Sequence, residues 1–310
     1  MSSKITCKIC GEEFAEDKSL HHHLKKHGVT MAEYYTQYYP RFNLLNGDPL
    51  PFKNKEQYFG ADFSTRQQLL KWCATEDREK VAPYILKMLE RRIESKGLSL
   101  GPSHLELKLS SMPTIDVYQE NFGSYSFACK ELGIKPMFKT RLPKKLFESD
   151  LSDMNIFIDT REQKPLEFSN STEMKLDVGD YTSSGDDYSY TYVDRKGEQD
   201  FKSTLSKHNL DRFDSELQRA KDMGAYLYIV TESDLSQIYK NNKWGHRSNL
   251  KYIFHNMRVF AHKYAGTCQF LFTGSREKSE KLIPELLKQG DSLWDVDIQY
   301  YIDNDELGHW

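Results

Sequence analysis

Nowhere does the chain run for the roughly 18 apolar residues that a membrane span requires. Its first ten residues, MSSKITCKIC, also lack the apolar stretch of a secretory leader. A soluble intracellular protein with no membrane partner is therefore expected, cytoplasmic in a bacterial or phage setting and nuclear in a eukaryotic one. Cysteine is scarce and odd in number, five in 310 residues, which argues against a disulfide framework. Cys7 and Cys10 form a pair, whereas Cys73, Cys129 and Cys268 are isolated and expected to be small buried apolar residues. The strong positive charge of a nucleic-acid binder is missing too, since the net charge is −3. Residues 1–150 nevertheless hold 23 Lys and Arg against 19 Asp and Glu, and residues 151–310 hold 20 against 27. A mildly basic front half suits a grip on a polyanion, and an acidic back half suits a metal site. Apolar residues are not lacking: at 38%, with 19 Tyr and 17 Phe, they can fill the cores of one large domain or of two to three small ones.

The segment CKICGEEFAEDKSLHHHLKKH spaces Cys7-x2-Cys10-x12-His23-x3-His27. Two thiolates on a tight turn and two imidazoles four apart on one helix face can close a tetrahedron around zinc. Phe14 and Leu20 stand where such a unit places its small core, and a fragment this short needs the metal to fold. Residues 5–28 resemble the two-Cys, two-His zinc finger family, members of which bind DNA or protein. His21 and His22 are read as surface residues.

Residues 29–100 read as a helical spacer. MAEYYTQYYPRF is helical up to Pro40, and FSTRQQLLKW opens with Ser64 and Gln67 in capping-box spacing. TEDREKVAPYILKMLERRIESKGL carries Ile85, Met88, Leu89 and Ile93 at helical intervals, with Pro83 as a kink or first-turn residue and Gly97 as the stop. Within 101–138, the run MPTIDVYQENFGSYSFACKELGIKP orders Pro, a Tyr-bearing helix, Phe-Gly-Ser-Tyr, a second helix and Leu-Gly-Ile. That order resembles a small DNA-binding repeat found beside homing endonucleases. The resemblance implies phosphate contacts from Lys130, Lys135 and Lys139, with Tyr118 and Tyr125 nearby; the other reading is a plain structural helix pair. Residues 139–150 form a basic linker.

The chemistry is concentrated in residues 151–275. MNIFIDTREQKPLEF starts with a compact strand, Ile156 to Ile158, that delivers Asp159 at its end. MKLDVGDYTSS alternates Met174, Leu176 and Val178 on one face, breaks at Gly179 and presents Asp180. DYSYTYVDRKGEQD alternates again, so Asp194 and Lys196 share a face. Joined as a hairpin, the two runs bring Asp180, Asp194 and Lys196 within a side chain's length. Two carboxylates there are costly unless a positive charge sits between them, and an oxygen-preferring divalent ion, Mg2+ or Mn2+, satisfies both. A lysine beside them can orient or deprotonate water, or neutralise charge developing on a phosphoryl group.

IDTRE, LDVGDY and VDRKGEQD resemble the three signatures of the XPF-type nucleases, a branch of the PD-(D/E)xK superfamily. The resemblance implies metal ligation by Asp180 and Asp194, an acidic cluster completed by Asp159 and Glu162, and Lys196 acting on water. Arg161 and Arg195 would touch phosphate or brace the acids, and Asp200 closes the third signature. Asp194 stands where the family carries glutamate, one methylene longer. Nothing after about residue 275 resembles the paired helix-hairpin-helix motifs of eukaryotic members. Helices NLDRFDSELQRAKDMG and RSNLKYIFHNMRVFAHKYAG alternate with strands AYLYIVTES and CQFLFTG. This order gives an α/β, restriction-endonuclease-like core with a mixed sheet flanked by helices. Residues 276–310 add a helix and an acidic tail, an acidic strand or extension packed by Trp294 and Tyr300. The expected whole is multi-domain, with a finger at 1–28, and acts as a metal-dependent endonuclease on double-stranded, nicked or branched DNA. The alternative is an inactive DNA-binding or regulatory protein that keeps the nuclease fold as a scaffold.

Overall fold

The computed structural model describes residues 5–15, 17–142, 151, 153–184, 189–244 and 248–307. Residues 143–150 of the basic linker lie outside this set. The chain divides into two compact units, Met1–Ile85 and Leu86–Trp310. None of the helices among the described residues is long and apolar enough to cross a membrane.

In the first unit, β1 (Ile5–Thr6) pairs antiparallel with β2 (Glu13–Phe14), and α1 (Asp17–His23) continues as a 3-10 turn through His27. The helices α2 (Met31–Tyr38), α3 (Lys55–Gly60) and α4 (Arg66–Thr75) follow, and α5 (Arg78–Lys96) carries the boundary between units. The finger does not bury its core alone. Cys7, Leu20 and Leu24 share one cluster with Tyr34, Tyr35, Leu50 and Tyr58, and Tyr34 Oη accepts the Lys8 backbone N–H at 2.9 Å. A fragment too small to exclude water thus borrows aromatic surface from the following helices. The capping box forms one residue later than expected: Thr65 Oγ1 accepts the Gln68 N–H, and Gln68 Oε1 accepts that of Thr65. Pro83 neither starts α5 nor ends it; the residue is exposed and the helix runs through it.

The second unit opens with β3 (Leu100–Gly101), α6 (His104–Leu109), α7 (Ile115–Phe122), α8 (Tyr125–Glu131) and β4 (Lys135–Pro136), the two strands pairing in parallel. The sheet that follows contains β5 (Ile156–Asp159), β6 (Ser171–Met174), β7 (Tyr181–Ser183) and β8 (Thr191–Lys196). After α9 (Glu198–Thr204) and α10 (Leu210–Asp222) come β9 (Tyr226–Thr231), α11 (Leu235–Trp244), α12 (Leu250–Lys263) and β10 (Cys268–Phe272). The chain closes with α13 (Arg276–Gln289) and α14 (Ile298–Asp303). The order across the sheet is β10-β9-β8-β7-β5-β6; β7 is antiparallel to both neighbours and the other pairings are parallel. The mixed sheet expected from the strand and helix order is present.

One face of the sheet, carrying Tyr192, Leu227 and Ile229, meets Phe213, Leu217 and Ala220 of α10 and Ile253, Met257 and Phe260 of α12 in a single apolar core. Among the described residues, the acidic C-terminal segment forms no strand. Asp297 caps α14 and accepts the His104 N–H at 2.8 Å, while Asp303 accepts from His104 and Lys108. Trp294 stacks on Tyr226 with centroids 5.2 Å apart, and Tyr300 Oη donates to Asp116. Residues too acidic to look apolar are held because their carboxylates are spent inside the unit. Cys73, Cys129 and Cys268 are buried, as expected for small apolar residues.

Candidate active site and metal centre

The strand pairing assembles the acidic site. Tyr181 lies opposite Val193 and Thr182 opposite Tyr192, so continuing that register sets Asp180 across from Asp194. The Asp180 N–H donates to Val193 O at 2.7 Å, and Asp180 Oδ2 accepts the Arg195 N–H at 2.7 Å. Gly179 permits this approach. Its φ is +65°, and a Cβ there would lie 2.8 Å from Val193 O. The alternating run expected through 174–180 is therefore not one strand: β6 ends at Met174, and the chain turns before β7 begins at Tyr181.

Asp194 and Lys196 share a face of β8, as period-two alternation requires, and both are buried at 5% and 7% exposure. Lys196 Nζ donates to Asp194 Oδ1 at 3.0 Å and lies 2.8 Å from Oδ2, a close ion pair that engages both carboxylate oxygens. Asp200, in the first turn of α9, is 3.7 Å from the same ammonium and 61% exposed. Burial first, then the charge of Asp194, pushes the Asp180 carboxyl up to about 8. Burial disfavours the Lys196 ammonium, yet Asp194 and Asp200 outweigh it and its pKa rises, so the group is a fixed cation at neutral pH.

The other expected site residues are arranged around this centre in two ways. Asp159 is buried and saturated: Oδ1 accepts from Arg161 N and Nε, and Oδ2 accepts from Arg161 Nη2 and the Leu176 N–H at 2.9 and 2.7 Å. Burial opposes its charge, but these partners hold its carboxyl below the usual range. The Arg161 side chain as a whole remains 62% exposed, although Nε and Nη2 are bonded to Asp159 and Leu176 O. Arg195 projects to the opposite face of β8 from Asp194, where it donates to Glu232 at 2.8 Å, Glu162 at 2.9 Å and Lys164 O at 3.0 Å. Glu162 Oε1 also accepts the Lys164 N–H at 2.7 Å. Its charge still reaches Asp180, where it adds to the upward shift. Sequence reasoning missed Glu216, which sits half-buried on the inward stripe of α10 between Phe213 and Ala220. An acid on the apolar face of an amphipathic helix was the available signal.

In the first unit, Cys7, Cys10, His23 and His27 bring one ligand atom each to within 4.8 Å of one another, and no other set of three or more His, Cys, Asp or Glu among the described residues does so. Cys10 Sγ is 3.2 Å from His23 Nε2, His23 Nε2 is 2.9 Å from His27 Nε2, and Cys7 Sγ is 3.8 Å from His27 Nε2. A zinc tetrahedron with ordinary bond lengths has edges of about 3.3–3.8 Å, so this cluster can hold the ion. Glu12 lies 3.4 Å from His23 Nδ1, the place of an outer carboxylate that orients a ligating imidazole. His21 is not a free surface residue, because its Nε2 is 3.1 Å from Tyr35 Oη.

The helical pair α7–α8 forms with Gly123 in its turn, but two of the expected DNA contacts are corrected. Tyr118 and Tyr125 are 0% and 1% exposed, with rings 5.3 Å apart, and Tyr125 Oη donates to Pro102 O at 2.7 Å. They form the core of the pair and cannot face a duplex. Lys130 and Lys135 are exposed, and Lys139 pairs with Asp295.

No protein-family model matches the chain, and no curated protein matches it. Among solved structures the chain is similar to XPF from Aeropyrum pernix, at 17% identity and a TM-score of 0.32. It is likewise similar to XPF from Aeropyrum pernix in complex with DNA, at 18% and 0.34. Each match covers 44% of this chain and 63% of the other, less than two thirds of the length of those chains.

Proposed function

We propose that the Leu86–Trp310 unit is a divalent-metal-dependent phosphodiesterase that cleaves DNA, with Asp180 and Asp194 as the carboxylates that hold Mg2+ or Mn2+. One observation carries this reading. Two carboxyls face each other across a hairpin, Asp180 half-buried and shifted to about 8, Asp194 buried against the ammonium of Lys196. Two neighbouring acids there share the single ammonium of Lys196, so their mutual repulsion is only partly offset and a divalent cation would relieve it. One or two carboxylates suffice for Mg2+, which keeps several waters, so a closed cage of three acids is not required. Held there, the ion would supply Lewis acidity toward a phosphate oxygen and acidify water.

The protein's own groups then divide the remaining work. Lys196, protonated and fixed beside Asp194, neutralises charge that builds on the phosphoryl oxygens; its raised pKa favours this role over that of a base. Arg161, anchored at one end by Asp159, offers its exposed edge to a backbone phosphate. Asp159 braces that arginine and the Leu176 loop, and Glu162 completes the acidic surroundings from the far side of Asp180 while fixing Arg195. Asp200 sets the position of the Lys196 ammonium from α9. Lys130 and Lys135 add non-specific attraction to DNA, and the zinc-loaded finger of the first unit contributes further nucleic-acid contact.

The reading is tested by incubating the zinc-loaded protein with supercoiled plasmid, nicked duplex and branched duplex, with and without added Mg2+. Cleavage is expected only with Mg2+, and Asp180→Asn and Lys196→Ala are expected to abolish it. Cleavage that persists in either variant would show that another site is responsible. Binding without cleavage by the native protein would leave the scaffold reading in its place.

A further inference from the structure

We propose that the outer face of α11 and α12 grips the phosphate backbone of a DNA duplex beside the proposed cleavage site; the choice of DNA as the polyanion rests on the function proposed above. No Asp or Glu occurs from residue 235 to residue 276, whereas seven Lys and Arg do, although residues 151–310 as a whole are acidic. Charge segregated in this way suits a surface that meets a polyanion. α12 turns Ile253, Phe254, Met257 and Phe260 into the core. Its outer side therefore carries Lys251, Tyr252, Arg258 and Val259, with Tyr252 37% and Val259 41% exposed. On α11, Tyr239 and Lys240 are exposed, and the Tyr239 ring lies 5.6 Å from that of Phe254, so the two outer sides adjoin.

Among the described residues, Lys240, Lys251 and Arg258 have no carboxylate at ion-pair distance, whereas Lys263 at the end of α12 pairs with Asp214. Arg258 Nη2 instead lies 3.0 Å from His255 Nδ1, one turn back on the same helix. Lys251 and Arg258 stand two turns apart, about 10 Å along the axis, which fits successive phosphates of a backbone better than one free anion. Exposed phenols such as Tyr239 and Tyr252 donate to phosphate oxygens. The surface is also fixed and well placed. Asn242 Nδ2 donates to Ser248 O at 3.1 Å and Asn242 Oδ1 accepts the Ser248 N–H at 2.8 Å, which ties α11 to the start of α12. Asn241 Nδ2 donates to Glu198 Oε2 at 2.6 Å, joining α11 to the first turn of α9, two residues beyond Lys196. The basic face thus begins next to the strand end that carries Asp194 and Lys196. A second copy of this chain is a poorer occupant, because a two-fold interface would set Lys251 and Arg258 against their own copies.

Fluorescence anisotropy with a short labelled duplex tests the assignment on full-length zinc-loaded protein, without added divalent ion and across a range of salt. The variants are Lys240→Ala/Lys251→Ala, both on exposed residues, and Arg258→Gln. Lys80→Ala/Lys281→Ala is the charge control, since those two ammonium groups already pair with Glu76 and Glu277. The first double variant is expected to bind about tenfold or more weakly at physiological salt and to lower the salt slope by about two, and Arg258→Gln to lower it by about one. The control should match native protein, and all should melt at the native temperature. Native affinity and slope in both test variants would overturn the assignment. So would a native dimer, seen by sedimentation, that the same variants dissociate, since the face would then belong to a second copy. If these variants bind duplex as native protein does while Asp180→Asn alone loses Mg2+-dependent cleavage, only this surface loses its role. If the variants lose duplex binding but native protein never cleaves, the grip stands and the proposed activity falls. Native protein with no affinity for duplex would remove both.

Discussion

Raising the pH of the metal-free protein from 6 to 8 should cost it stability, and Asp180 should be the main cause. Its carboxyl has a folded pKa of about 8 against an ordinary value of 3.8, driven first by burial and then by Asp194. Between those values the folded state holds a proton that the unfolded state has released. The stability that this proton supplies is complete below the unfolded pKa and disappears as pH rises through the folded one. One such group changes stability by at most about 1.4 kcal/mol per pH unit, so two units remove on the order of 2–3 kcal/mol. For a unit of this size that corresponds to roughly 5–10 °C in melting temperature. Thermal melts of zinc-loaded protein in buffer freed of other divalent ions, at pH 6, 7 and 8, read the effect. Asp180→Asn should flatten the profile and make the protein more stable than native at pH 8. Adding Mn2+ should restore the native protein most at pH 8, where no proton competes. An identical pH slope in native protein and Asp180→Asn would refute the reasoning, because the proton would then belong to another group.

Other expectations rest on separate contacts. Lys196→Met removes the counter-charge of a buried carboxylate and should cost about 3–5 kcal/mol in urea unfolding without added metal, with cleavage lost although Mn2+ still binds. Gly179→Ala places a methyl group 2.8 Å from Val193 O at a φ of +65°, and should destabilise by about 2–4 kcal/mol in the same assay. Removing zinc, or Cys10→Ser, should abolish hydrogen-exchange protection at Leu24 and Tyr34, whose cluster includes Cys7. Lys135→Ala should lower DNA affinity about equally for all sequences and reduce the salt slope of binding by about one.

The strands β5, β8, β9 and β10 were legible because they are short and cleanly bounded, whereas β6, exposed along its length, was not. Residues 226–230 are a continuous apolar run and residues 268–272 are broken only by Gln269, and such runs between helical periods have few other structures open to them. The pairing that brings Asp180 to Asp194 was legible because the two runs lie close in sequence and alternation fixes which side chains of β8 share a face. The chain's use of polar residues was not legible. A carboxylate looks the same in sequence whether it stands beside a second acid, as Asp180 does, or is saturated by an arginine and an amide, as Asp159 is. Tyr118 and Tyr125 were set near DNA only by the resemblance of their segment to a DNA-binding repeat, yet the Pro102 carbonyl gives Tyr125 an internal partner and both rings are buried, as in the plain helix pair. Asp297 and Asp303 concealed α14 in the same way, since their partners His104 and Lys108 lie nearly two hundred residues earlier.

The most direct measurement is anomalous diffraction from crystals of the protein soaked in Mn2+. A peak bridging the carboxylates of Asp180 and Asp194, beside the Lys196 ammonium, is the expected result. Manganese absent from that position at saturating concentration, or held only elsewhere on the unit, would contradict the account.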